Sequence, residues 1–303
     1  MSTQINCNND VKNLGWLDCL SNLKHFKRLI LVPTYDADGD LNEFATKSAV
    51  TKAAIQALIN SETAGNRIFP MPIIKNVEFT SDDAKVATDD DDQSYFIRHG
   101  QMSCIGMIWG ATEVFIYKLS SFNYASNYNV YAIDNAGNFI YLTDEATKLK
   151  VKPIPISDFY VMPVQATAED VYKAKVSFKF DLKGDSRYLL RHINANDLDF
   201  DGLSTSDIYS LEDVTLTVGT PTTGGATITA KLTQEPDINV VGLAKEDFIL
   251  KDDAGGAETI TTLVDNGNGT YTATWTVGAD GYVLTAKKDK YSFNTATFSV
   301  SGS

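Results

Sequence analysis

Apolar and polar positions alternate without a break from Tyr172 to Leu182, in the order Y-K-A-K-V-S-F-K-F-D-L. Tyr172, Ala174, Val176, Phe178, Phe180 and Leu182 share one parity, and Lys173, Lys175, Ser177, Lys179 and Asp181 share the other. Successive side chains of a strand point to opposite faces, so the pattern predicts one dry face and one wet face. At about 3.3 Å per residue the strand would reach about 35 Å. A strand of this kind belongs to an antiparallel sheet covered on one side only.

Weaker patterns surround it. Leu29 to Val32 reads as a short buried strand stopped by Pro33, and Ile73 to Phe79 as an extended run. Ser94 to Trp109 is a long extended stretch with Gly100 and Gly106 inside it, and such glycines mark bulges or close backbone approach. Tyr128–Asp134 and Phe139–Thr143 flank Asn135-Ala-Gly137-Asn138 and predict a hairpin. Leu149 to Val164 carries Pro153, Pro155 and Pro163, which predicts an edge or irregular strand. Arg187 to Ile193 reads as one further strand or the exit from the sheet. Two helices are expected: Lys47–Asn60 capped by Thr46, and Glu113–Phe122 capped by Thr112. Residues 1–28 read as a docking arm with an apolar cluster at Leu14, Trp16, Leu17 and Leu20.

The texture changes near residue 204. Residues 204–212 lack apolar periodicity and read as a linker between a domain at 1–203 and another at 213–303. In the second, short β runs recur at Val214–Val218, Thr227–Leu232, Asp247–Lys251, Thr259–Val264, Thr270–Val277, Tyr282–Lys287 and Thr295–Val300. Turn residues punctuate them, and Asn266-Gly-Asn268-Gly269 is a strong hairpin signal. That density of strands predicts an immunoglobulin-like sandwich, with Trp275 as its core indole. The fold class is therefore mainly β. An N-terminal β-sandwich or open barrel with one or two flanking helices precedes a C-terminal immunoglobulin-like sandwich.

Charge narrows the function. The chain of 303 residues carries 39 acids against 26 Lys and Arg, a net charge of −13. Gripping a nucleic-acid backbone needs clustered Lys and Arg, so direct nucleic-acid binding is disfavoured. Cys7, Cys19 and Cys104 form no paired framework, which points to reduced thiols and assembly inside a cell. Neither CxxC spacing nor a nearby His marks Cys7 and Cys19 as metal ligands. The N-terminus lacks the basic and apolar regions of a signal peptide, and no run approaches a membrane-spanning length.

Candidate chemistry is sparse. Asp36, Asp38, Asp40 and Asn42 alternate like calcium ligands, but the glycine is out of register and position twelve is Lys47. Asp197, Asp199 and Asp201 before Gly202 match the first half of a calcium loop better. Position twelve there is Ile208, with Asp207 one place early, so calcium stays open and a turn is favoured. Asp82, Asp83 and Asp89 to Asp92 suit an exposed, self-repelling loop; a divalent cation is the alternative. His25, His99 and His192 form no grouping in sequence. GxSxG, P-loop, HExxH and helix-opening GxGxxG patterns are absent, so no catalytic, cofactor-binding or metal residue is assigned and the chain is not read as an enzyme.

Several segments resemble known families. Leu243-x-x-x-Asp247-Phe248, Asp265-Asn-Gly-Asn-Gly269-Thr270-Tyr271-Thr272, Gly281-Tyr282-x-Leu284, Lys290-Tyr291-x-Phe293 and Thr297-Phe298-x-Val300 resemble bacterial Ig-like modules. Arg67-Ile-Phe69-Pro70-Met-Pro72, Asn76-Val-Glu78-Phe79, Arg98-His-Gly100 and Val176-Ser-Phe178-Lys-Phe180-Asp181 resemble structural proteins of tailed bacteriophages, tail-tube subunits above all. This resemblance implies a virion protein assembled in the host cytoplasm. Its copies would form stacked, hexameric rings around passing DNA that is not specifically bound, in company with other virion proteins and away from membranes. The alternatives are a capsid decoration or head–tail connector protein, and a surface adhesin whose Tyr124, Tyr128 and Tyr131 would stack on sugars.

Overall fold

The computed structural model describes residues 26–81, 85–88, 93–98, 100–167, 171–182, 189–222, 224–276 and 281–300. The chain divides into two compact units, Met1–Tyr209 and Ser210–Ser303. Both are built mainly of strands.

In chain order the first unit contains β1 (Phe26–Pro33), α1 (Lys52–Ile59), β2 (Phe69–Pro70), β3 (Lys75–Ser81), β4 (Lys85–Thr88), β5 (Ser94–Arg98) and β6 (Met102–Trp109). It continues with α2 (Glu113–Ser120), β7 (Tyr128–Asp134), β8 (Phe139–Leu142), β9 (Ile154–Val164), β10 (Lys173–Phe180) and β11 (Leu190–Ile193). Nine of these strands make one curled sheet along the path β11-β8-β7-β9-β10-β6-β3, with β1 on β7 and β2 on β1; β4 and β5 pair separately. Ala132 of β7 faces both Leu29 and Ile140, and Val130 faces both Leu31 and Ile154. One edge of β7 therefore belongs to β1, while β8 and β9 share the other.

The Tyr172 pattern is realised as β10, eight residues long rather than eleven. Ala174, Val176, Phe178, Phe180 and Leu182 are buried on the predicted face. They meet Phe26, Phe159, Ile108, Cys104 and Val161 in one core. Phe178 and Phe180 lie 5.0 Å apart edge to face, and Phe79 stacks on Phe180 at 6.4 Å. Aromatic pairs in these geometries add to what their burial supplies. Gly106, opposite Val176, lets β3 approach: a Cβ there would sit 2.3 Å from Ile74 Cγ2.

Several expectations are corrected. The first helix is a 3₁₀ turn at Lys47–Ala49 followed by α1, because Val50 leaves helical geometry to bury its side chain. Thr51, not Thr46, caps α1, its hydroxyl accepting from Ala54 N at 3.2 Å. The second helix ends at Ser120, with Thr112 at its cap as expected. The run 94–109 is two strands, β5 and β6. The proline-bearing β9 lies between β7 and β10 only at Ile154 and Pro155; beyond them it is an edge, and irregular, as its prolines suggested. Pro155 and Pro163 stand near its two ends, where few ladder bonds are lost. Residues 204–209, expected in the linker, belong to the first unit, where Ile208 and Tyr209 are buried. The predicted arm lies outside the described residues except for its last three, which begin β1.

The second unit contains β12 (Glu212–Val218), β13 (Gly225–Leu232), β14 (Phe248–Asp252), β15 (Ala257–Glu258), β16 (Ile260–Asp265), β17 (Thr270–Trp275), β18 (Gly281–Ala286), β19 (Tyr291–Phe293) and β20 (Ala296–Ser299). Its sheets run β16-β17-β13-β12-β19 and β15-β14-β18-β20. This is the D-E-B-A and C′-C-F-G order of an immunoglobulin-like sandwich. The Asn266–Gly269 turn joins β16 to β17; Gly269 has φ +76°, and a Cβ there would meet Asn239 at 2.5 Å. The Tyr271 hydroxyl donates to Val240 O at 2.8 Å and accepts from Leu243 N at 3.2 Å, tying the loop before β14 to the core. Trp275 is buried against Tyr282 and Phe298, as expected of a core indole.

Candidate assembly surface

Strand margins and one sheet face are what the first unit offers to a partner. The sheet path ends at β3 on one side and β11 on the other. The free edge of β1 is closed instead: β2 pairs with it, Met71 N donates to Leu29 O, and Ile74 N donates to Lys27 O. The edge of β9 beyond β7 is closed by an amide side chain. Asn123 Nδ2 donates to Val161 O at 3.1 Å, and Asn123 Oδ1 accepts from Val161 N at 2.8 Å. Among the described residues the sheet path thus ends at the seven-residue β3 and the four-residue β11 with no further strand beyond either, and a sheet end is a template for pairing with another chain.

Cross-strand partners in an antiparallel sheet project to the same face. On the face away from the core, Lys173 of β10 stands between Trp109 and Val164. Lys175 stands between Met107 and Met162, Ser177 between Ile105 and Tyr160, and Lys179 between Ser103 and Ser157. On β3, Lys75 faces Met107 and Glu78 faces Ile105. The result is a mixed face of lysines, thioethers and aromatics, on which Trp109 remains 44% exposed while Lys173, expected on the wet side, is buried at 9%. Lys173 Nζ lies 4.6 Å and Lys75 Nζ 4.9 Å from the centre of the Trp109 ring. Ammonium groups over an indole are held by its electron-rich face. Lys179 Nζ bonds Asp158 Oδ2 at 2.7 Å, at the bulge where Asp158 takes φ +53°.

The acidic clusters do structural work. Asp36 Oδ1 accepts from the N–H groups of Asp38 and Asp40 and closes its own turn. Asp199 Oδ1 accepts from Lys52 N at the start of α1, and Asp201 Oδ1 from Leu203 N. Asp207 bonds Lys52 Nζ at 2.6 Å and accepts from Asp201 N. The Lys52 ammonium and then the Asp201 N–H hold the Asp207 carboxyl below the usual carboxylate range. Among the described residues no three His, Cys, Asp or Glu side chains are grouped to hold a metal ion. Asp82, Asp83, Asp89 to Asp92, His25, His99, Cys7 and Cys19 lie outside the described residues. His192 is on β11, and Cys104 is a buried free thiol that burial pushes up to about 12.

Of the three tyrosines weighed as sugar platforms, Tyr131 is buried and donates to Val151 O at 3.0 Å. Tyr128 packs on Phe122 and Phe69, and burial raises its phenol. Tyr124 alone of them is strongly exposed, tilted over Tyr160 at 5.3 Å.

Sequence reasoning missed Arg28. It is 2% exposed, yet its guanidinium donates to four carbonyls: Met71, Gly202, Ser204 and Ile208, at 2.7, 3.2, 3.1 and 2.6 Å. Burial pulls it down to about 10 against the opposing pull of Asp201, so it stays charged at neutral pH. Its position directly before the Leu29–Val32 apolar run, beside Lys27, was the available signal. A scan against known protein families and a search of curated proteins each found no match.

Proposed function

We propose that this chain is a structural subunit of a tailed-phage virion, a tail-tube protein whose copies join sheet margins into rings, hexameric by resemblance. The observation that carries the reading is a sheet path that ends, among the described residues, at β3 on one side and β11 on the other, with no further strand beyond either. A contact between two different margins is heterologous, and heterologous contacts close into rings when the rotation allows. Strand pairing across those two ends would carry the backbone ladder from one copy to the next. The net charge of −13 suits a conduit that DNA passes without adhering. The Ig-like unit would be carried as a decoration.

Electron microscopy and sedimentation of the purified protein test this directly. Rings are expected, with backbone hydrogen exchange in 75–81 and 190–193 slowed on assembly. Monomers at every concentration, or rings whose β3 and β11 amides exchange as fast as in the monomer, would overturn it.

A further inference from the structure

Beyond Pro155 the outer edge of β9 has no partner strand among the described residues, yet it is not bare. β7 pairs with β9 at Asn129–Pro155 and Val130–Ile154. Continued backwards along the chain, that register brings Asn123 opposite Val161 and Tyr124 opposite Tyr160, and these pairs do meet. Asn123 Oδ1 accepts from Val161 N at 2.8 Å, and Asn123 Nδ2 donates to Val161 O at 3.1 Å. A residue facing Val161 from a neighbouring strand would make the same two bonds with its backbone. Tyr124 N donates to Phe159 O at 2.8 Å.

We infer that residues 122–124 form a clip that keeps a second copy of the chain from adding a strand to β9, with Asn123 as the positioning residue. Three consecutive side chains grip the margin from three directions. Phe122 packs on the core side against Phe69 and Tyr128, each ring 5.0 Å away. Tyr124 lies over Tyr160 on the other face at 5.3 Å, and the Asn123 amide enters the edge between them. Local bonds from Asn123 N to Ser120 O and from Ala125 N to Phe122 O hold the clip in its turn. Tyr124 takes φ +60° to reach the margin, and Asp158 on the margin takes φ +53°. Left-handed backbone strains a residue that is not glycine and persists where the surrounding contacts fix it.

The bonding groups of the margin explain why so short a clip suffices. Val161 has its outward N–H and C=O both taken, Phe159 has its carbonyl taken, and Pro163 has no N–H to offer. Without the clip, Val161 would present both groups on a strand already ordered by β10, and an ordered open edge is a template for another chain. The margin is the same on every copy, so opened copies pair β9 with β9 about a two-fold axis, a contact that closes on itself. The clip does not depend on the ring reading: it guards β9 whether or not β3 and β11 join copies elsewhere.

Residue-resolved hydrogen exchange and photo-crosslinking of the full chain test the clip. Asn123→Ala removes both bonds to Val161, whose amide should exchange about tenfold faster or more. N123A/Y124P removes all three bonds, because proline has no N–H and cannot take φ +60°. In that variant, with circular dichroism unchanged, a photo-crosslinker at position 160 should join 157–163 of another copy; in the otherwise wild-type chain it should not. Tyr124→Gly keeps the N–H and relaxes the backbone, so Val161 should stay protected and the crosslink absent. Val161 exchange indifferent to Asn123→Ala, no crosslink between copies of N123A/Y124P, equal crosslinking without the two substitutions, or a margin opened as far by Tyr124→Gly would each overturn the inference. Should N123A/Y124P not fold, Asn123→Ala decides alone through Val161 exchange and the same crosslink. Rings are read separately by microscopy: their absence defeats the ring reading and leaves the clip to these measurements.

Discussion

In the unit at 210–303 three of the four strands at the sheet edges are short. β15 and β19 have two and three residues, β20 four, and β16 six. In the first unit β3 exposes a margin of seven residues with a mostly exposed burial pattern, and the sheet face beside it carries Trp109 and Met162 exposed. Short edge strands are one way proteins suppress unwanted pairing. The second unit reads as finished in itself, with two sheets closed over Trp275, Tyr271 and Tyr282. The first has its core on one side of the sheet and leaves margins and a face unspent.

Truncating the first unit's core should break this contrast most strongly. Phe178→Ala removes a ring that touches Phe26, Phe159 and Phe180. Deletions of this size cost about 3–5 kcal/mol, read as a lowered urea midpoint for the first unit alone, since the second has a separate core. Arg28→Met should come next. It leaves four carbonyls without their buried donor and should cost about 3 kcal/mol, with faster hydrogen exchange in 202–209.

Two hydroxyl deletions sharpen the comparison between units. Tyr271→Phe breaks one donated and one accepted bond in the sandwich and should cost about 1–3 kcal/mol. Tyr141→Phe, in the first unit, removes a buried hydroxyl that has no partner among the described residues. Its thermal midpoint should be unchanged or slightly raised.

The smallest effect is a pH dependence of the first unit. Hydrogen bonds from the Thr147 hydroxyl and N–H depress the Asp144 carboxyl, and the Lys52 ammonium depresses that of Asp207. A carboxylate depressed on folding stabilises above its unfolded pKa, about 3.9, and that contribution is lost as pH falls through the folded value. Denaturation midpoints should therefore drop below about pH 4, less so in an Asp207→Asn variant, whose baseline is already lower.

The comparison also explains what could be read without coordinates. The second unit's strands alternate cleanly and its hairpin turn is written locally in Asn266–Gly269, so its architecture was legible. In the first unit β10 was legible for the same reason, its parity being unambiguous. Its place was not, because Phe178 sits opposite Cys104 through pairing between strands distant in sequence. The prolines of β9 pointed to an edge or irregular strand, and beyond Pro155 it is one, but that β7 covers its first two residues and Asn123 caps Val161 could not be read locally. Segment 204–209 reads as a linker because nothing periodic marks it; what orders it are Arg28 and the distant side chains of Lys52, Gln56 and Asn60. The Trp109 surface was equally hidden, because Lys75, Trp109 and Lys173 come from three separate strands.

By itself the sequence determined the mainly β character, the dry face of β10 and the Ig-like texture of the last ninety or so residues, because period-two patterning and turn chemistry are local properties of a chain. Only the tertiary structure decided which strand edges are covered, that a buried arginine binds 202–209 to the first unit, and that lysines from separate strands enclose one indole. Those depend on long-range register, which no local window of residues encodes.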